Sequence, residues 1–166
     1  NQLTTGTFLK SPTDIETDSA GNVYVLQQGF TYNSDKRKHY RMHVFNADGE
    51  MQRQMLEYGG NSSYNNPICG KSGRGTRKFA IHNDQIYILN PTYYYARIDI
   101  LSLDGKCIRQ SGNIQPPMNG GHYSSFSSIA VTDEYIYLGQ GYCNWFCYQS
   151  GTWRSSGGAI YIYRRS

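Results

Sequence analysis

Charge is scarce in this chain: Asp, Glu, Lys and Arg make up 17% of its 166 residues, against about 25% in an ordinary soluble domain. No apolar run approaches the ~18 residues that a membrane-crossing helix needs. The first residues, Asn1 to Lys10, lack the apolar core of a signal peptide, which leaves room for a mature form whose signal has been removed. Sustained helical periodicity is missing as well, so helices are not expected. No Ser-His-Asp arrangement, glycine-rich phosphate loop or H-E-x-x-H is visible. There are four histidines. His82 reads as a turn residue and His43 as a half-exposed strand residue, which leaves only His39 and His122 for one loop face. That is too few for a metal site of the histidine-rich kind. The sequence predicts no catalytic residue, no metal and no cofactor.

What is abundant is Gly (18) and Tyr (16). The four cysteines are Cys69, Cys107, Cys143 and Cys147. Zinc sites generally need two cysteine pairs, or a cysteine pair followed by a histidine pair, and neither is present. Disulfides are the better reading. The spacing of Cys143 and Cys147 suggests that they pair with each other, or with partners on the same loop face. A Cys69–Cys107 bond is less expected, because Cys69 falls in a loop at one end of the predicted strands and Cys107 near the other. Together with low charge and a sequon at Asn61-Ser62-Ser63, these cysteines point to an extracellular, secreted protein.

One pattern recurs three times. Asp14-Ile15-Glu16-Thr17-Asp18 leads into Val23-Tyr24-Val25, then Arg41-Met42-His43-Val44-Phe45 and Asp48-Gly49. Phe79-Ala80-Ile81 leads into Ile86-Tyr87-Ile88-Leu89, then Arg97-Ile98-Asp99-Ile100 and Asp104-Gly105. Ile129-Ala130-Val131 leads into Tyr135-Ile136-Tyr137-Leu138 and Ala159-Ile160-Tyr161-Ile162. Repeats of about 50 residues with four short strands each are the mark of β-propeller blades. The Asp-Gly pairs between apolar strands signal tight hairpins. Read as P-x-[D/G]-I-x-x-D-x-x-G-N-V-Y-V, an insertion, then R-x-x-V-F-x-x-D-G, Pro12 to Gly49 resembles the NHL repeat. The second and third copies match less fully. The resemblance covers nearly the whole chain and implies an all-β propeller. It says little about activity, because such propellers include RNA binders, protein-interaction platforms and a few metal-dependent enzymes.

The predicted blades are 12–58, 76–112 and 126–166. The third lacks a fourth strand, whereas Asn1–Lys10 stands where such a strand would be supplied from the other end of a ring. Propellers close with 4–8 blades, so three blades suggest half of a six-bladed ring. In that arrangement two copies each lend strand 1–10 to the other's third blade. A fragment of a longer propeller and an open, fibrous assembly are the alternatives.

In a propeller the long connections after the second and fourth strand of each blade emerge on one face. Here that face collects Tyr32, Arg37 and Tyr40, then Tyr93, Tyr94 and Tyr95, then Tyr142, Trp145, Trp153 and Arg154. Loops on a rigid scaffold are where binding residues concentrate, and aromatic side chains with polar tips give contact area at low entropic cost. Trp145 and Phe146 could equally form the small core of a cysteine-pinned loop. The function expected is a non-enzymatic extracellular binding or assembly module holding a carbohydrate or protein partner. A fibre subunit is the second reading. RNA binding is the third, on a net charge of +4 and the Lys36-Arg37-Lys38 run beside tyrosines, though a short basic run is more often a solvated loop tip.

Overall fold

Thirteen strands and no helix are found among the described residues of the computed structural model, which are 12–31, 38–58, 69, 78–91, 96–114, 126–140, 143–147, 152–156 and 159–165. The strands are β1 (Pro12–Thr17), β2 (Val23–Thr31), β3 (Lys38–Phe45), β4 (Met51–Tyr58), β5 (Lys78–His82), β6 (Gln85–Pro91) and β7 (Ala96–Ser102). They continue with β8 (Cys107–Gln110), β9 (Phe126–Val131), β10 (Tyr135–Gln140), β11 (Cys143–Cys147), β12 (Thr152–Ser156) and β13 (Ala159–Arg164). They form antiparallel sheets: β1-β2-β3-β4, then β5-β6-β7-β8, then the three-stranded β9-β10-β13, with β11-β12 a separate two-stranded hairpin. The repeat read from the sequence is thus a repeat of sheets. Ring closure is not part of what the structure displays.

The turns follow the chemistry expected of them. Gly49 and Gly105 adopt φ of +82° and +87°, which glycine reaches without a Cβ penalty. Each closes the same turn, Gly49 N donating to Asn46 O (3.0 Å) and Gly105 N to Ser102 O (2.9 Å). Asn46 Oδ1 also accepts from the amides of Asp48 (3.1 Å) and Glu50 (2.8 Å). In the β1–β2 turn the buried Asp18 takes that part. Its carboxylate accepts from the amides of Ala20 (3.0 Å) and Asn22 (2.8 Å), from Asn22 Nδ2 (2.8 Å) and from Tyr24 Oη (3.2 Å). Burial works against its ionisation, but the Asn22, Tyr24 and Ala20 hydrogen bonds outweigh it and hold the pKa below 3.8.

Period-two alternation gives each sheet two faces, and the sheets stack in chain order. Tyr24, Leu26, Met42 and Val44 of the first sheet meet Phe79, Ile86, Ile88 and Leu101 of the second. The other face of the second sheet, with Tyr87, Leu89, Ala96, Ile98 and Ile100, meets Phe126, Ile136 and Leu138 of the third. Each fully buried aliphatic side chain contributes roughly 1.5–3 kcal/mol, so these two seams hold the sheets together. Polar contacts tie their margins. Asp14 Oδ2 accepts from Phe79 N (2.8 Å), and Lys78 Nζ donates to Thr13 O (2.7 Å). At the second seam His82 Nε2 and Asn83 Nδ2 both reach Asp133 Oδ1, at 2.8 and 2.9 Å.

A further repeat lies in the polar residues. Gln27, Asn90 and Gln140 follow the apolar run of the second strand in each sheet, and all three are buried. Each bonds a third-strand side chain: Gln27 Oε1 to His43 Nε2 (2.8 Å), Asn90 Nδ2 to Asp99 Oδ2 (3.2 Å), and Gln140 Oε1 to Tyr161 Oη (2.8 Å). Burying an amide is costly unless it is bonded, so each amide dictates a polar partner across the ladder. This corrects the expectation for His43, which is buried rather than half-exposed. Burial, with Arg41 beside it, pushes the His43 pKa below 6.5.

Candidate binding and assembly site

The connections expected to be long loops are partly strand. β2 and β3 continue their ladder to Thr31 opposite Lys38, past an irregularity after Gln28. His39 and Tyr40, read as loop from the sequence, therefore belong to a strand. β6 and β7 pair as far as Pro91 opposite Ala96. The third connection folds into the β11–β12 hairpin, with Trp145 opposite Arg154 and Phe146 opposite Trp153. The hairpin thus brings Trp145, Trp153 and Arg154 into neighbouring register positions. Tyr40 sits on β3 opposite Gln28 and Tyr58, in a different sheet. Tyr32, Arg37, Tyr93, Tyr94, Tyr95, Tyr142 and the sequon Asn61 lie outside the described residues.

Of the two cysteine pairings considered, the less expected one is found. Cys143 and Cys147 are the end residues of β11. The side chains of both lie outside those described. A disulfide joins Cys69 to Cys107, with their Cα atoms 5.3 Å apart. The sequence argument against it placed Cys69 at the far end of the strands. In the structure Cys69 packs against the core between the first and second sheets, which brings it to the start of β8.

The third sheet differs from the other two in having β13 at its edge. Between the outer strands of the second sheet and β13 runs an open groove of about 570 Å³. Ile98, Ile100 and Ile136 line its depth, and Arg109, Tyr163, Arg164 and Arg165 its margins. Arg165 is held in place, its guanidinium bonded to Thr132 O (2.7 Å) and lying 5.4 Å from the Tyr87 ring. Beyond the groove, the outer face of the third sheet is apolar and open. Ile160 and Ile162 are 73% and 60% exposed, next to the edge-to-face pair Tyr135 and Tyr137 (6.2 Å between ring centres). At the opposite end of the stack Ile15 is 61% exposed on the outer face of the first sheet.

Among the described residues no group of His, Cys, Asp and Glu is placed to hold a metal ion, and no helix is long and apolar enough to cross a membrane. Comparison with protein-family models, curated proteins and solved structures finds no match.

Proposed function

We propose that the chain is a non-enzymatic, secreted assembly and binding module: three NHL-like propeller blades that associate with further blades and display their aromatic connections to a carbohydrate or protein partner. The observation that carries this reading is that, among the described residues, the third sheet has three strands. Its first two counterparts have four strands, whereas β13 borders an open groove. An unpaired strand edge invites another strand. The Asn1–Lys10 segment, uncharged apart from its last residue, carries the Thr, Phe and Leu that suit such a strand. The Cys69–Cys107 disulfide agrees with an oxidising compartment.

Sedimentation velocity over a range of concentrations tests the assembly. The intact chain should run heavier than 18.9 kDa, and deleting residues 1–10 should abolish the heavier species. A truncated chain that assembles like the intact one would overturn strand donation. For binding, a glycan array is the first screen. Trp145→Ala or Trp153→Ala should weaken a positive hit by at least about 30-fold, which corresponds to the ~2 kcal/mol typical of an aromatic anchor. Binding to RNA that falls steeply with salt would favour the nucleic-acid reading instead.

A further inference from the structure

We infer that the groove between β8 and β13 takes an extended acidic segment of a protein partner, added as a strand to the edge of β13. The inference rests on the reading of the third sheet as a blade open to a further strand. It names the chemistry of the protein partner and the place where it is held.

Two features coincide at this groove. The first is a strand edge. Among the described residues β13 pairs only with β10, so its other side offers backbone donors and acceptors to an extended chain. The second is charge of one sign. Arg109, Arg164 and Arg165 line the groove, and no Asp or Glu does. Arg165 is already engaged, through Thr132 O and the nearby Asp133. Arg109 and Arg164 are exposed, and neither takes part in an ion pair among the described residues.

Register fixes which way these groups face. Arg109 lies opposite Ile100, so it stands on the side of the second sheet that looks towards the third, with Ile98 and Ile100. Arg164 follows Ile160 and Ile162 at alternate positions of β13 and shares their outward side. The bonds from His82 and Asn83 to Asp133 hold the first turns of the two sheets together, so β7 and β13 run the same way. On both sides of an added strand the groups therefore change from isoleucine to arginine towards the end of β13. In the groove Ile98 gives way to Arg109, and on the outer side Ile160 and Ile162 give way to Arg164.

An occupant that answers this pattern has apolar residues in one half and carboxylates in the other. The apolar half covers the isoleucines, and the carboxylates meet Arg109 and Arg164. The chain's own residues 1–10 include no Asp or Glu. That segment can supply strand backbone but leaves both arginines without a counter-charge. Partner and donated strand thus compete for one edge, and the partner that brings carboxylates displaces the strand and dissolves the assembly.

The test uses the full chain and labelled peptides of about eight residues, valine and threonine in one half and glutamate in the other, made in both chain directions. Fluorescence anisotropy should show one of the two binding, more weakly as salt rises. Glutamine in place of glutamate should weaken it by about tenfold, and Arg109→Gln and Arg164→Gln by about threefold each. N-methylation of alternate peptide nitrogens should abolish binding while leaving the charge. Saturating peptide should also remove the heavier species in sedimentation velocity. Binding that survives N-methylation, or that ignores both arginine substitutions, would overturn the inference. So would tighter binding of a peptide of residues 1–10, or failure of both acidic peptides, while the assembly reading stood on its own sedimentation result. Heparin binding that is lost in Arg109→Gln, with no peptide bound, would overturn it in favour of an acidic saccharide. A chain that binds the acidic peptide yet stays monomeric at all concentrations would uphold strand addition and overturn only the assembly reading.

Discussion

Ile100 and Ile162 occupy the same position in successive repeats, yet one is 4% exposed and the other 60%. Replacing each with alanine therefore separates what the side chain is from where it sits. At Ile100 the change removes buried methyl groups from the cluster shared with Tyr87, Ile136 and Leu138. Such truncations cost about 2–5 kcal/mol, depending on how far the site can collapse. The groove beside Ile100 allows some relaxation, so about 3 kcal/mol is expected. At Ile162 an exposed truncation should stay within about 0.5 kcal/mol. With a urea dependence of about 2 kcal/mol per molar, the unfolding midpoint should fall by about 1.5 M for Ile100→Ala and by no more than about 0.25 M for Ile162→Ala. Unfolding followed by far-ultraviolet circular dichroism in dilute solution, where association does not contribute, makes the measurement. A loss under 1 kcal/mol at Ile100 would mean that the seam between the second and third sheets is not holding them. Equal losses at both sites would refute the distinction between covered and open faces.

Cys107→Ser should cost about 4 kcal/mol, because the bond closes a loop with a sequence separation of 38; peptide mapping without reduction that found Cys69 and Cys107 as free thiols would contradict the pairing. The folded Asp18 carboxyl titrates below 3.8, so its stabilisation is present above the unfolded pKa and is lost as pH falls through the lower folded value. Asp18→Asn should remove that part of the acid sensitivity in unfolding midpoints measured between about pH 2 and pH 5, and an unchanged slope would count against the turn. His43 is held below its ordinary 6.5, so its neutral form is favoured in the fold and stability should decline as pH drops below that value. His43→Gln, which can still meet Gln27, should lessen the decline on comparing melts at neutral and mildly acidic pH, and an identical decline would refute the assignment.

The β-strand content, the three repeats and the Asp-Gly turns were legible because each depends on local chemistry. Alternation selects a pleated strand, and glycine supplies positive φ at Gly49 and Gly105 whatever surrounds it. The sequence also placed Trp145, Trp153 and Arg154 in one connection, though it read the β11–β12 hairpin as loop despite the Ser150-Gly151 turn signal between Cys143–Cys147 and Thr152–Ser156. His43 looked half-exposed in its alternating strand, but it is buried, where the cross-strand amide of Gln27 bonds one of its ring nitrogens. Cys69 and Cys107 seemed too far apart until the path of the chain set Cys69 against the core. Ile160 and Ile162, exposed in the structure, show the same division. Sequence gives them the same apolar character as Ile98 and Ile100, but burial belongs to the neighbour and not to the residue. Whether an isoleucine lies in a core or on an open face depends on which sheet is stacked against it, and that is decided only in three dimensions.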